Sequence, residues 1–190
     1  MIIDAAFKAL DAPETEKLFA LLYGAGETVL GEQKKRYAGL IKRFRERFGE
    51  RDIRVFSSPG RSEIGGNHTD HNHGKVLAAS IQFDSIAVVS PMKNVRISDS
   101  SYNEDYELDI SGELPPGGKK GSRALISGIV AGFRKEGLKA GGFSGCFSSD
   151  VIPASGVSSS ASFEMLVCHI QNRLYNEGRV PVERMARIGQ

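Results

Sequence analysis

Two stretches of this sequence carry residue types that suit chemistry. The first is Pro59 to Gly74, PGRSEIGGNHTDHNHG, which crowds Arg61, Asn67, His68, Thr69, Asp70 and two further histidines between glycines. Asn67, His68, Thr69 and Asp70 supply hydrogen-bond donors and acceptors in a density that suits a polyol. Arg61 is a permanent cation suited to a transferring phosphoryl group. The flanking glycines allow backbone conformations closed to other residues. Two other readings fit the same residues. His68, His71 and His73, with Asp70 between them, form an H-x-x-H-x-H cluster that could ligate a transition metal, although no cysteine assists. A polar structural turn is the other.

The second stretch runs from Asp150 to Ser162, DVIPASGVSSSAS, and ends in three consecutive serines at the start of an apolar periodic segment. A helix N-terminus leaves amides unpaired and favours negative charge. Gly156 lets the backbone approach an anion, while Ser158, Ser159 and Ser160 offer hydroxyls to phosphate oxygens or to Mg²⁺. The stretch lacks the lysine of the common phosphate loop and does not fit G-x-G-x-x-G. A serine-capped helix, with Glu164 reaching back to the cap, would explain the same pattern structurally.

The elements that must position these stretches follow from periodicity. Residues 1–50 read as helical. Leu18, Leu21 and Leu22 share one face, and Tyr37, Leu40, Ile41, Phe44 and Phe48 recur at helical spacing before Gly49. The interleaved Lys34, Lys35, Lys42, Arg43, Arg45 and Arg47 fit a solvated face opposite an apolar stripe. Strands are expected at 53–57, 76–81, 86–90, 95–98, 106–110 and 143–148. Residues 111–121 read as a loop. A helix capped by Ser122 carries Leu125, Ile129 and Phe133 and stops at Gly137. A further buried helix carries Val157, Ala161, Met165 and Cys168 on one line. This order of strands and helices implies a two-layer α+β domain spanning 51–190, with 1–50 as a helical N-terminal extension.

Composition narrows the partners. The chain has 190 residues, 40% hydrophobic and 25% charged, with a formal net charge of +2. That is a globular composition with too little net charge to argue for nucleic acid or a membrane surface. Cys146 and Cys168 lack metal-ligand spacing and read as buried thiols in a reducing compartment. The N-terminus shows no targeting pattern and no apolar run spans a bilayer, so a cytoplasmic protein is expected.

Together and in this order, the two stretches resemble the galactokinase branch of the GHMP small-molecule kinases. The family's first signature runs roughly Pro-Gly-Arg-Val-Asn-Leu-Ile-Gly-Glu-His-Thr-Asp-Tyr-Asn-x-Gly and is met here without a gap. Its ATP loop, roughly Gly-x-Gly-Leu-Ser-Ser-Ser-Ala, stands here as Ala154 to Ala161. The likeness covers about residues 50–190. It implies the ribosomal-protein-S5-like α+β fold of the family's N-terminal half. It also implies ATP and Mg²⁺ as cofactors, and transfer of phosphate to the C1 hydroxyl of galactose. By position, Arg61 would stabilise the transferring phosphate, and Asn67, His68, Thr69 and Asp70 would contact sugar. Ala154, Ser155, Gly156, Val157, Ser158, Ser159 and Ser160 would hold the ATP phosphates, with Ser160 at the metal-ligand position. Ser98 would match a nucleotide-side serine.

Three departures shape the expectation. Asn67 replaces the usual Glu, which opens related sugars as substrates. Ala154 replaces the first glycine of the phosphate loop. The sequence reaches Gln190 before the family's acidic Mg²⁺ ligand and the aspartate of Gly-x-Met-Asp-Gln, the general base. This chain is therefore expected to recognise substrates without completing the reaction alone. A non-catalytic sensor of sugar and nucleotide is the alternative expectation.

Overall fold

The computed structural model describes residues 1–66, 74–112, 121–152 and 156–189. Five strands form one sheet in the order β1-β2-β5-β3-β4. Strands β1 (Arg54–Gly65) and β2 (Leu77–Met92) are antiparallel, as are β2 and β5 (Gly142–Ser149) and β3 (Val95–Asp99) and β4 (Glu104–Leu108). Only β3 and β5 run parallel. Helices α4 (Ser122–Lys135), α5 (Ser159–Tyr175) and α6 (Val182–Ile188) cover one face. Helices α1 (Ile3–Leu10), α2 (Pro13–Tyr23) and α3 (Glu27–Phe48) cover the other. The expected α+β fold is present, and the N-terminal helices add a layer on the opposite face of the sheet.

Alternation along the strands sorts the core. Ala87 and Val89 pack with Phe133, Phe143, Leu166 and Ile170 on the α4–α5 side. Their neighbours Ile86 and Val88 pack with Cys146, Phe44, Ile41 and Ile3 on the α3 side. The N-terminal layer is also pinned at the backbone. The Met1 amino group donates to the Ile53 carbonyl at 3.0 Å, and the Ile53 amide donates to the Met1 carbonyl at 2.8 Å. Both cysteines are buried, which pushes each thiol up to about 12. Among the described residues no helix is long and apolar enough to cross a membrane.

Several expected elements take a different form. The runs at 76–81 and 86–90 are one sixteen-residue strand, β2, with no break at Phe83-Asp84. The polar stretch is not a loop from its start: β1 continues through Arg61 to Gly65, with register shifts at Pro59/Arg61 and Glu63/Gly65. Leu18, Leu21 and Leu22 face solvent, Leu21 at 82% exposure, while Phe19 and Tyr23 point inward. The reason is a better-matched stripe. Phe19 and Tyr23 meet Tyr37, with ring centroids 4.8 Å apart for Phe19–Tyr37, and the Tyr23 hydroxyl finds partners that a leucine has no use for. Gly121, at φ +73°, occupies the N-cap of α4, and Ser122 opens the helix with its Oγ accepting from the Tyr106 hydroxyl at 2.8 Å. Helix α6 carried too few apolar repeats to be expected.

If the N-terminal layer belongs to the same cooperative core, Phe44→Ala should destabilise the whole chain by about 3–5 kcal/mol. Leu21→Ala should stay within roughly ±0.5 kcal/mol. Thermal denaturation followed at α5 would separate the two. A Phe44→Ala transition confined to the N-terminal helices would contradict a shared core.

Candidate functional site

The two chemical stretches meet through backbone. The Arg61 amide on β1 donates to the Val157 carbonyl of the serine stretch at 3.1 Å. A Cβ at Gly60 would sit 2.9 Å from that same oxygen, 3.1 Å from Ile81 Cδ1 and 3.2 Å from Val151 Cγ1. Glycine at position 60 is what permits this approach. At the other end of the strand Gly66, at φ +83°, is packed so closely that a Cβ would lie 2.2 Å from the Lys75 carbonyl oxygen. These glycines fix the paired segments on either side of residues 67–73. Asn67, His68, Thr69 and Asp70, with His71 and His73, lie outside the described residues, as do Ala154 and Ser155.

Among the described residues the serine stretch forms a helix start without a side-chain cap. Gly156 (φ +80°) and Ser158 (φ +58°, ψ +54°) both adopt left-handed backbone. For serine this conformation costs about 1–3 kcal/mol and marks a constrained turn. In it Ser158 is the N-cap of α5 but makes no side-chain capping bond. The first-turn amides are therefore not capped by a hydroxyl, and Glu164 does not reach back either. Helix α5 is instead anchored one turn in. Ser162 Oγ donates to the Ser58 carbonyl at 2.8 Å and lies 3.1 Å from Ser85 Oγ, which meets Ser149 Oγ at 2.8 Å.

Ser159 and Ser160 open onto a cavity of about 290 Å³. Leu125, Phe147, Phe163 and Tyr102 form its apolar wall, while Ser85, Ser122, Ser148 and Ser149 line the rest together with Asp99 and Glu104. An apolar slot with a few convergent polar groups is the usual form of a small-molecule site. Asp99 closes the β3–β4 turn by accepting from the Ser101 and Tyr102 amides at 2.8 and 3.3 Å. Burial raises its carboxyl above the ordinary carboxylate range, partly offset by those two amides.

The expected site residues therefore divide. Arg61, Gly156, Val157, Ser158, Ser159 and Ser160 come together. Ser98 does not join them. Strand alternation turns it to the α3 face, where Arg43 Nε and Nη2 donate to its Oγ at 3.1 and 2.9 Å, and its neighbour Asp99 faces the cavity instead. Glu63, not singled out from sequence, lies two residues along the same strand face from Arg61 and pairs with it at 3.0 Å. Period-two spacing of opposite charges was the available signal. Arg61 remains 44% exposed, so an incoming anion can compete for its guanidinium.

Known proteins resemble this chain. Residues 42–91 match the galactokinase galactose-binding signature. A galactokinase of Clostridium tetani is 30% identical over 152 residues, 80% of this chain and 39% of that protein. One of Streptomyces coelicolor is 32% identical over 145 residues, 74% of this chain and 37% of that protein. The crystal structure of Lactococcus lactis galactokinase complexed with galactose superposes with a TM-score of 0.70 at 29% identity, covering 78% of this chain and 39% of that one. The mevalonate kinase of Methanococcus jannaschii, at 15% identity and a TM-score of 0.62, shares the fold. The chain spans about two fifths of the length of the galactokinases it matches. With the signature on β1 and β2, the serine stretch beside it and these relatives, the chain belongs to the galactokinase branch of the GHMP small-molecule kinases.

Proposed function

We propose that these 190 residues form the substrate-recognition part of an ATP-dependent sugar kinase that phosphorylates the C1 hydroxyl of galactose. The observation that carries this reading is the seam between Gly60-Arg61 and Val157. It holds a phosphate-suited helix start within hydrogen-bonding distance of the strand that leads into the sugar signature.

The division of labour follows from the chemistry of the residues. The uncapped amides at the start of α5, with Ser158 and Ser159, would bind the phosphates of ATP. Ser160 would offer its hydroxyl to Mg²⁺. A bound Mg²⁺ would supply charge neutralisation on the phosphates. Arg61 would leave Glu63 and stabilise charge on the transferring phosphoryl group. Asn67, His68, Thr69 and Asp70 would orient the sugar, so that positioning supplies much of the catalysis. Asn67, an amide where the family carries a carboxylate, supports a related sugar as the second reading. A non-catalytic sensor shares every binding step and differs only in turnover. Binding of both substrates is what these 190 residues are proposed to supply.

Calorimetry of the 190-residue chain with galactose and with a non-hydrolysable MgATP analogue should show saturable binding of each. No heat with either ligand would refute the recognition role. A flat galactose response beside a clear response to another hexose or amino sugar would move the reading to that sugar. Gly60→Ala should open the seam, costing roughly 1–3 kcal/mol of stability by overpacking and weakening nucleotide binding; a thermal melt and the same titration check both. Unchanged nucleotide affinity in Gly60→Ala would show that the seam does not position the phosphate site.

A further inference from the structure

A largely buried ionic cluster ties the first residue of the serine stretch to the helical layer on the other face of the sheet. Arg36, in the middle of α3, is 13% exposed and reaches two carboxylates at once. Its Nη1 lies 2.6 Å from Asp84 Oδ1 and 3.0 Å from Asp150 Oδ2. Its Nη2 donates to the main-chain carbonyl of Asp84 at 2.9 Å and lies 3.5 Å from that of Ser148. The Asp84 side chain is 3% exposed. Its other oxygen accepts from the Tyr23 hydroxyl at 2.6 Å and from Ser57 Oγ. The main-chain carbonyl of Asp84 also accepts the Asp150 amide at 2.9 Å.

Each contact points at the candidate site. Asp150 is the first residue after β5 and opens the stretch that leads to Gly156 and the three serines. Asp84 pairs with Pro59 at the register shift that precedes Gly60 and Arg61. Two carboxylates converge on one guanidinium, so without Arg36 they repel. Asp84 is enclosed by α2, α3 and β1, whereas Asp150 is 42% exposed and has a way out to solvent. The end that yields is therefore the start of the serine stretch. A planar guanidinium bridges two acceptors and a carbonyl together, which an ammonium point charge does not.

We infer that Arg36 is a positioning residue for the phosphate-binding stretch: it clamps Asp150 to Asp84 and so fixes where the start of α5 stands relative to Arg61. The inference rests on the proposed nucleotide role of that stretch, but its geometric content is testable without nucleotide.

Hydrogen exchange on the full 190-residue chain reads the geometry directly. Asp150→Ala should speed exchange of the amides in 150–160 by about tenfold and leave the β3–β4 hairpin unchanged. Arg36→Met, which also leaves Asp84 buried without its cation, should speed exchange in 150–160 at least as much, and adding Asp150→Ala to it should speed that stretch no further, because both break one clamp. Arg36→Lys should fall between wild type and Arg36→Met. Titration with the fluorescent probe mant-ATP and Mg²⁺ should show about tenfold weaker binding in Asp150→Ala, with galactose affinity unchanged. Unchanged exchange in 150–160 for Asp150→Ala would overturn the inference. So would independent, multiplying effects of the two substitutions, or tighter mant-ATP binding, which would make Asp150 a mere repulsive charge. If Arg36→Met fails to fold, Asp150→Ala and Arg36→Lys decide. If the wild-type chain binds no mant-ATP, the kinase reading falls while the exchange data still decide the clamp.

Discussion

A carboxylate buried between a sheet and a helical layer must be fully satisfied or it destabilises everything around it. Asp84 is in that position. Breaking such a buried pair from one side costs about 3–5 kcal/mol, because an uncompensated charge is left behind. The fold meets the demand from three directions: Arg36 on α3, Tyr23 on α2 and Ser57 on β1. Burial raises the phenols of Tyr23 and Tyr37 above their ordinary value, so both stay protonated, and Tyr23 remains a donor to Asp84. Hence α2 and α3 are not free to slide over the sheet. Apolar burial alone tolerates small shifts, but a charge with three directed partners does not.

That constraint reaches the candidate site because β2 is long. Beyond Asp84 the strand runs out of helical cover, and residues 77–80 pair with 61–65 as a two-stranded arm with mostly exposed faces. A two-stranded ribbon is marginal by itself. Its direction is set where it leaves the three-layer region, at the register shift beside Asp84 and Gly60. The serine stretch leaves β5 at the same level, through Asp150. The segments proposed to meet phosphates and a sugar thus leave the sheet from adjacent points, at Asp150 and at Gly60–Arg61. Rigid scaffolds carrying functional loops are a general solution, since loops alone cannot hold geometry.

What the sequence made legible, and what it hid, follows from the range of each interaction. The polar stretch and the serine run could be read because residue types declare their chemistry locally. The α+β class followed from periods of two and near four. Burial of Phe44, Ile129 and Phe133 did too. The face of α2 did not. Leu18 and Leu22 compete with Phe19 and Tyr23 for the same spacing, one residue out of phase, and only the presence of Tyr37 and Asp84 across the chain decides between them. The extension of β1 through Arg61 was hidden because glycines and polar residues have low strand propensity, while the pairing with 77–80 that overrides it is tertiary. The facing of Ser98 depended on a one-residue phase within β3. The Gly60–Val157 seam joins residues nearly a hundred positions apart, and no local pattern encodes it. Arg36 was hidden for a further reason: it sits in a basic helix where most charges do face solvent.

The charge arrangement gives a reason for the contrast between the two arginines of the site region. Arg36 is enclosed and shared between two carboxylates, so its interactions are strong, directional and hard to break. Arg61 is half exposed and, among the described residues, pairs with one carboxylate, Glu63 on the same strand. An exposed pair of that kind is worth at most about 1 kcal/mol. A guanidinium meant to meet a phosphoryl group must be releasable, and one meant to fix a loop must not. Burial separates the two roles more than residue type does: the same side chain serves as an anchor where water is excluded and as an available cation where water enters.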